Sequence, residues 1–362
     1  MEKVRVLVVD DSAFMRKMIT DMLASDPEIE ILGTARNGLD AWGKIKQLKP
    51  DIITLDVEMP QMDGLQLLEK IMAESPLPVI MRSSLTQNGA EATIRALSLG
   101  AVDFISKPSG SISLDIEKVK VELINKVKMG AKVNTSRVKN KAIDQKKTGP
   151  AVSSKQEAAW PPKIEVISPL LKGNVNKIVA IGTSTGGPRA LQEVIPRLPA
   201  DLPAAVLIVQ HMPKGFTHSL SQRLDQQSKI RVKEGEQGDK IENGLAILAP
   251  GGYHMTLEKG GIIGLNQEPP VWGVRPAVDV LFKSIAQNYP AQVVTVILTG
   301  MGQDGAAGVA ILKEKNAKSI AEDKSTCVVY GMPKSVVDKG LADKILPLNQ
   351  VAEGIIQLLQ SK

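Results

Sequence analysis

At 362 residues the chain exceeds one ordinary domain, and its length suits two or three. Apolar residues make up 43% but aromatics only 3%, so the cores must be filled by Val, Ile, Leu, Ala and Met. A single cysteine, Cys327, excludes a disulfide scaffold and a cysteine-based structural zinc site. Three histidines (His211, His218, His254) argue against a His-rich metal centre. No apolar run approaches the ~18 residues of a spanning helix, and the run in MEKVRVLVVDD is too short for a signal peptide. A cytoplasmic protein with no direct membrane insertion is expected.

The formal charge of +6 is unevenly spread. Residues 1–108 carry 12 basic and 16 acidic side chains (net −4), residues 109–176 carry 13 and 6 (net +7), and residues 177–362 carry 20 and 17 (net +3). Between Lys126 and Lys147 eight basic residues face one acid, Asp144, with few large apolar groups, and Gly149-Pro150 and Trp160-Pro161-Pro162 follow. Such a stretch cannot bury enough surface to offset its ordering entropy. It is expected to be a basic flexible linker over 129–176, between domains at 1–128 and 177–362. Docking on an anionic surface is the other reading of its charge. Nothing in it has the spacing of a DNA reader, and no nucleic-acid partner is expected.

The first domain opens with the apolar run VRVLVV (4–9), ended by Asp10-Asp11. A helical pattern covers Ser12 to about Ala24, then come EIEILGTA, a helix near Gly38–Leu48 and DIITLD (51–56). A helix near Leu65–Ala73, PVIM (78–81), a helix near Gly89–Leu99, VDFIS (102–106) and a last helix to about Lys128 complete it. Five apolar strands alternating with helices predict a flavodoxin-like parallel sheet covered on both faces. Residues at the carboxyl ends of such strands converge in one crevice. Those residues are Asp10 and Asp11 after the first strand, Asp56 at the third, Ser83 at the fourth and Lys107 after the fifth. Three carboxylates together repel one another unless a divalent cation offsets them, and oxygen donors with room for water suit Mg²⁺. A carboxylate facing a lysine and a hydroxyl is a fitting phosphoryl acceptor. The Lys107–Pro108 bond marks a sharp exit from the sheet and is a candidate cis peptide.

VVDDS, LDVEMPQMDG, MRSS and ISKP carry a resemblance to the receiver domains of two-component response regulators. The resemblance implies that a histidine kinase phosphorylates Asp56, with Asp10 and Asp11 assisting Mg²⁺ and Glu58 giving its backbone carbonyl to the ion. Ser83 would be the switch hydroxyl, Lys107 the phosphate-sensing cation and Phe104 a rotating aromatic. Arg82 departs from the pattern, since such domains usually place an apolar residue there. A charge in a buried strand is expensive unless it reaches solvent or a partner.

From Lys177 a second α/β pattern runs through KIVAIG (177–182), a helix around Ala190–Leu198, AAVLIVQ (204–210) and a helix near Phe216–Gln227. LAILAP (245–250), MTLEKGGIIGL (255–265), VVTVILTG (293–300), KSIAE (318–322) and a helical C-terminus follow. Gly260-Gly261 predicts an antiparallel hairpin, within a doubly wound and mostly parallel sheet.

Directly after the first of these strands stands Gly182-Thr183-Ser184-Thr185-Gly186-Gly187-Pro188. A glycine-rich turn opening a helix can cradle phosphates, but a dinucleotide fold wants an acid at the end of the next strand, where this chain has Gln210-His211. The alternative is nucleophilic: Ser184 in a G-x-S-x-G string, with its hydroxyl at a helix N-terminus. His211 lies just past the second strand and Asp304 just past the strand at 293–298, so all three can meet at one strand-end crevice. The order Ser…His…Asp differs from that of α/β-hydrolases, which would instead use His254 with Asp225 or Asp239. His218 and His254 are otherwise expected on the surface or in the cleft. Cys327 is a weaker nucleophile candidate, with no histidine near it in sequence. Arg275 could bind substrate carboxylates or make a surface pair.

IGTSTGGP, VQHMP, LAPGGYHM, VRPAVDVLF, LTGMGQDGA and VYGMP resemble the catalytic domain of chemotaxis methylesterases, the CheB family. The resemblance implies a protein-glutamate methylesterase and protein-glutamine glutaminase acting on methyl-accepting chemotaxis receptors. Ser184, His211 and Asp304 would work through an acyl-enzyme, with no metal in the esterase step. The Met301 backbone N–H, by the family pattern, and that of Thr185, by geometry, would form the oxyanion hole. The receiver would cover the Ser184 cleft until Asp56 is phosphorylated. The readings that remain beside it are a non-enzymatic response regulator with a binding output domain, a DNA-binding regulator and a nucleotide-binding enzyme.

Overall fold

The computed structural model describes residues 3–107, 113–133 and 175–360. Most of the expected linker and the Lys107–Pro108 bond lie outside the described residues. The chain divides into two compact units, Met1–Pro161 and Pro162–Lys362.

In the first unit, β1 (Val4–Val9), β2 (Ile29–Ala35), β3 (Ile52–Asp56), β4 (Val79–Ser83) and β5 (Asp103–Ser106) form one parallel sheet in the order β2-β1-β3-β4-β5. Helices α1 (Ala13–Ala24), α2 (Gly38–Leu48), α3 (Gly64–Glu74), α4 (Gln87–Leu99) and α5 (Ser113–Gly130) alternate with the strands. The starts of four helices are fixed by side chains: Ser12, Asn37, Asp63 and Thr86 each accept a backbone N–H of the first turn, and Asp63 forms a reciprocal capping box with Gln66. Strands β3 and β4 are buried throughout, which is why they read as unbroken apolar runs. Gly64 opens α3 directly over the Asp56 carbonyl, where a Cβ would collide with backbone, so the loop after β3 can close tightly.

The second unit is a seven-stranded sheet in the order β14-β13-β12-β6-β7-β9-β8. Its strands are β6 (Lys177–Thr183), β7 (Ala205–Gln210), β8 (Arg231–Glu234), β9 (Leu245–Leu248), β12 (Gln292–Ile297), β13 (Lys318–Glu322) and β14 (Lys344–Leu346), and every pairing is parallel. The antiparallel hairpin, β10 (His254–Glu258) and β11 (Ile262–Asn266), is a separate ribbon rather than part of that sheet. Helices α6 (Gly187–Val194), α7 (Phe216–Gln227), α8 (Val278–Asn288), α9 (Ala306–Lys313), α10 (Met332–Asp338) and α11 (Leu348–Gln360) complete the unit. The helix expected near Ala190–Leu198 starts three residues earlier and ends in a 3₁₀ turn, Ile195–Arg197, because Pro196 has no N–H for a further α turn. The core is aliphatic, as composition required, with Phe216 and Phe282 its largest fully buried side chains.

Candidate active site and phosphoacceptor pocket

In both units the chain reverses direction across the sheet next to the first strand, between β1 and β3 and between β6 and β12. Such switch points open a crevice at the carboxyl edge. In the second unit that crevice receives Ser184 from the end of β6, His211 from the end of β7 and Asp304 from the loop after β12. Ser184 N–H donates to Thr299 O (3.0 Å), His211 N–H to Thr183 O (3.1 Å), and Gln210 Nε2 to both Ser184 O (2.9 Å) and His211 O (3.1 Å). These bonds lock the serine and histidine loops side by side on one edge.

His211 Nε2 lies 2.7 Å from Asp304 Oδ2, with the two side chains only 10% and 2% exposed. Asp304 also accepts Val278 N–H at 2.6 Å and Asp279 N–H at 2.9 Å, the first amides of α8. Burial pushes the Asp304 carboxyl up, but the His211 hydrogen bond and charge and the two amides outweigh it and hold the carboxyl below its ordinary value. Asp304 is therefore an anion, and it engages the Nε2 side of the ring. Nδ1 is the nitrogen left for a proton from a hydroxyl. Among the described residues no hydrogen bond joins the Ser184 hydroxyl to His211, a looseness common in unliganded sites.

The loop after β12 passes against the serine: a Cβ on Gly300 would stand 2.8 Å from Ser184 Cβ and 3.1 Å from its nitrogen. Met301, the next residue, is 39% exposed, whereas Thr185 is buried and its carbonyl accepts the Thr299 hydroxyl at 2.9 Å.

The competing candidates are spent elsewhere. Asp225 accepts Val232 N–H at 2.8 Å and Asp239 binds Lys233 at 2.8 Å, so neither serves His254. His254 is fully buried, against the expected surface or cleft position, and burial holds its imidazole below the ordinary range. His218 is exposed beside Gln222 and Glu234. Arg275 donates to the carbonyls of Gln267 (2.8 Å) and Glu268 (2.9 Å). Burial and the neighbouring Glu322 push the Cys327 thiol far up, which removes the thiolate a nucleophile needs.

Sequence reasoning missed the support behind Ser184. Buried Glu322 accepts Thr299 N–H at 2.8 Å, while Thr299 in turn accepts Ser184 N–H and donates its hydroxyl to Thr185. Thr299 and Gln210 stand at strand ends and could have been found by that position alone. Glu322 ends β13 but gives no spacing signal.

In the first unit the carboxylate oxygens of Asp10, Asp11 and Asp56 lie within 4.8 Å of one another. Lys107 Nζ sits 2.8 Å from each Asp56 oxygen. Burial, helped by Asp10 and opposed by Lys107 and Arg82, pushes the Asp56 carboxyl up to about 6. An all-oxygen donor set of clustered carboxylates, two of them buried, fits a hard divalent cation. Asp10 and Asp56 are buried, while Asp11 and Glu58 are exposed. Ser83 is buried and donates to Gly89 O at 2.8 Å. Phe104 is 4% exposed, with Lys126 Nζ 5.3 Å from its ring centre. The unexpected Arg82 finds a buried partner: its Nη1 makes an ion pair with Asp10 Oδ2.

The two sheets and what gathers at their edges define a class, a parallel α/β enzyme domain preceded by a response-regulator receiver. Residues 6–117 match the family model for the response regulator receiver domain, and residues 179–355 match that for CheB methylesterase. The protein-glutamate methylesterase/protein-glutamine glutaminase of Symbiobacterium thermophilum is 53% identical over 352 residues, covering 97% of this chain and 96% of that protein. Its counterpart from Syntrophomonas wolfei is 50% identical over 366 residues, covering 99% and 100%. The crystal structure of the Thermotoga maritima CheB methylesterase catalytic domain is 45% identical, covering 51% of this chain and 100% of that one with a TM-score of 0.49. The chain belongs to the protein-glutamate methylesterase/protein-glutamine glutaminase family of enzymes. No helix among the described residues is long and apolar enough to cross a membrane.

Proposed function

We propose that the second unit hydrolyses γ-glutamyl methyl esters of methyl-accepting chemotaxis receptors, and deamidates receptor glutamines, in the cytoplasm. Ser184 Oγ attacks the carbonyl as His211 Nδ1 takes its proton. Asp304, hydrogen-bonded at Nε2, keeps the ring in the tautomer that leaves Nδ1 free and stabilises the imidazolium. The Met301 and Thr185 backbone N–H groups hold the developing oxyanion. Methanol or ammonia leaves with the proton from His211, and water, activated by the same nitrogen, releases the glutamate and restores Ser184. No metal takes part in this step. The observation that carries the reading is the 2.7 Å contact of His211 with Asp304 on the strand edge that holds Ser184.

In the first unit Asp56 is the acceptor of a phosphoryl group from a chemotaxis histidine kinase. Mg²⁺ would be held by Asp10, Asp11 and Asp56 and by the Glu58 carbonyl; when bound it offsets the charge of the incoming phosphate. Lys107 neutralises that phosphate, and Ser83 and Phe104 shift with it. The unphosphorylated receiver blocks the Ser184 cleft, and residues 129–176 tether it there.

The test is methanol release from membranes bearing methylated receptors, with and without a small phosphodonor. The phosphodonor should raise the rate, and Ser184→Ala should lower turnover by about 10⁴-fold or more. Release undiminished in that variant defeats the esterase reading. A fragment 177–362 no faster than the unphosphorylated full chain defeats the inhibition.

A further inference from the structure

The ion pair between Arg82 and Asp10 places a fixed positive charge inside the pocket assigned above to a divalent cation. Arg82 lies on β4 in register with Asp56 of β3. Its side chain is 3% exposed and that of Asp10 is 1% exposed, so solvent screens neither. One guanidinium nitrogen is on Asp10, while Nη2 is buried with no hydrogen-bond partner among the described residues. A guanidinium with unmet donors in an apolar strand is costly to bury. What holds it there is the summed negative charge of Asp10, Asp11 and Asp56, the same charge that would hold a metal.

We propose that Arg82 is a resident counter-ion of this pocket that competes with the divalent cation for Asp10. The receiver then binds Mg²⁺ more weakly, and needs it less for stability, than the same pocket without the guanidinium. A dication at Asp10 must either displace Arg82 from the carboxylate or share it against direct repulsion. In the absence of metal the guanidinium relieves the mutual repulsion of the carboxylates. Arg82 acts through Asp10, so it is a positioning residue rather than a catalytic one. The inference rests on the reading of the pocket as a Mg²⁺ site.

The experiment titrates the full chain and Arg82→Leu with Mg²⁺ alone by calorimetry, and follows Tm with and without the ion. Arg82→Leu should bind Mg²⁺ roughly tenfold tighter or more. Its Tm should fall below that of the parent without the ion and recover on adding it, while the parent Tm moves little. Equal or weaker binding by a folded Arg82→Leu chain overturns the proposal. Should that variant not fold, the parent chain alone decides by NMR of the Arg82 guanidinium. Mg²⁺ should shift its N–H signals and speed their exchange, and signals unmoved through saturation overturn the proposal. If neither chain binds Mg²⁺, the metal reading of the pocket itself fails and the competition falls with it.

Discussion

Replacing Asp304 with Asn separates the charge of the group that orients His211 from its shape. Oδ2 serves two donors, His211 Nε2 and Val278 N–H, whereas Oδ1 serves one, Asp279 N–H. An Asn therefore keeps its oxygen at the Oδ2 position and turns its NH₂ onto Asp279 N–H. The tautomer of His211 survives, but the negative charge facing the imidazolium is lost. Two unit charges about 4 Å apart at an effective dielectric near 20 interact by about 4 kcal/mol, so kcat should fall by about 10²–10³-fold with KM little changed. The donor–donor contact at Asp279 should cost about 1–3 kcal/mol of folding stability. Methanol release from methylated receptor membranes gives kcat and KM, and a thermal melt gives the structural loss. A variant whose Tm falls while kcat stays within about threefold of the parent refutes the reasoning. Asp304 would then serve only to tie down the start of α8.

Gly300→Ala should lower kcat by about 10²-fold, because its Cβ would crowd Met332 Sδ, stand 2.8 Å from Ser184 Cβ and displace the serine. Unchanged turnover in a folded Gly300→Ala chain removes the loop after β12 from the site. Glu322 supplies a pH test: burial pushes its carboxyl up to about 7, against 4.5 in an ordinary environment. The folded state thus holds a proton that the unfolded state has released. The associated stability, about 3 kcal/mol, is complete below the unfolded value and is lost as pH rises through about 7. Tm should therefore drop more steeply between about pH 4.5 and 7 in the parent than in Glu322→Gln, and parallel slopes would refute the buried acid.

What was legible in the sequence was whatever local pattern alone decides. Val4–Val9 is a short run rich in valine, and its predicted limits, like those of Lys318–Glu322, agree with the structure. Strand β8 (Arg231–Glu234) escaped notice because it lies at the sheet edge with charged residues at three of its four positions. Helices α9 and α10 are short, and neither they nor α8 has a side-chain N-cap hydrogen bond to announce it. In strand β4 the apolar run stops at Met81, yet the strand continues through Arg82 to Ser83, where a strand-end residue is expected. The site followed the same division. Strand-end positions bring Ser184, His211 and Asp304 to one edge, but which ring nitrogen meets Asp304 depends on loop geometry that no spacing encodes. So does the chain of bonds from Glu322 through Thr299 to Ser184.

The two crevices set the same problem in charge balance and solve it differently. In each, parallel strands deliver polar side chains to a switch point where few other groups can pair them. At the Ser184 edge an imidazole and two backbone amides are enough to keep Asp304 ionised despite its burial. At the Asp56 edge three carboxylates meet, and burial still holds Asp56 at about 6 with both Lys107 and Arg82 beside it, so the cluster has use for every positive charge it can gather. That demand explains how an arginine can persist in a strand buried along its whole length. Its cost is met by the electrostatics of the pocket, not by packing. It follows that Asp10→Asn, which removes the partner but keeps the shape, should destabilise the receiver more than Arg82→Leu does in the presence of Mg²⁺. The first substitution leaves a buried guanidinium without its counter-charge, whereas the second leaves a carboxylate that the ion can satisfy.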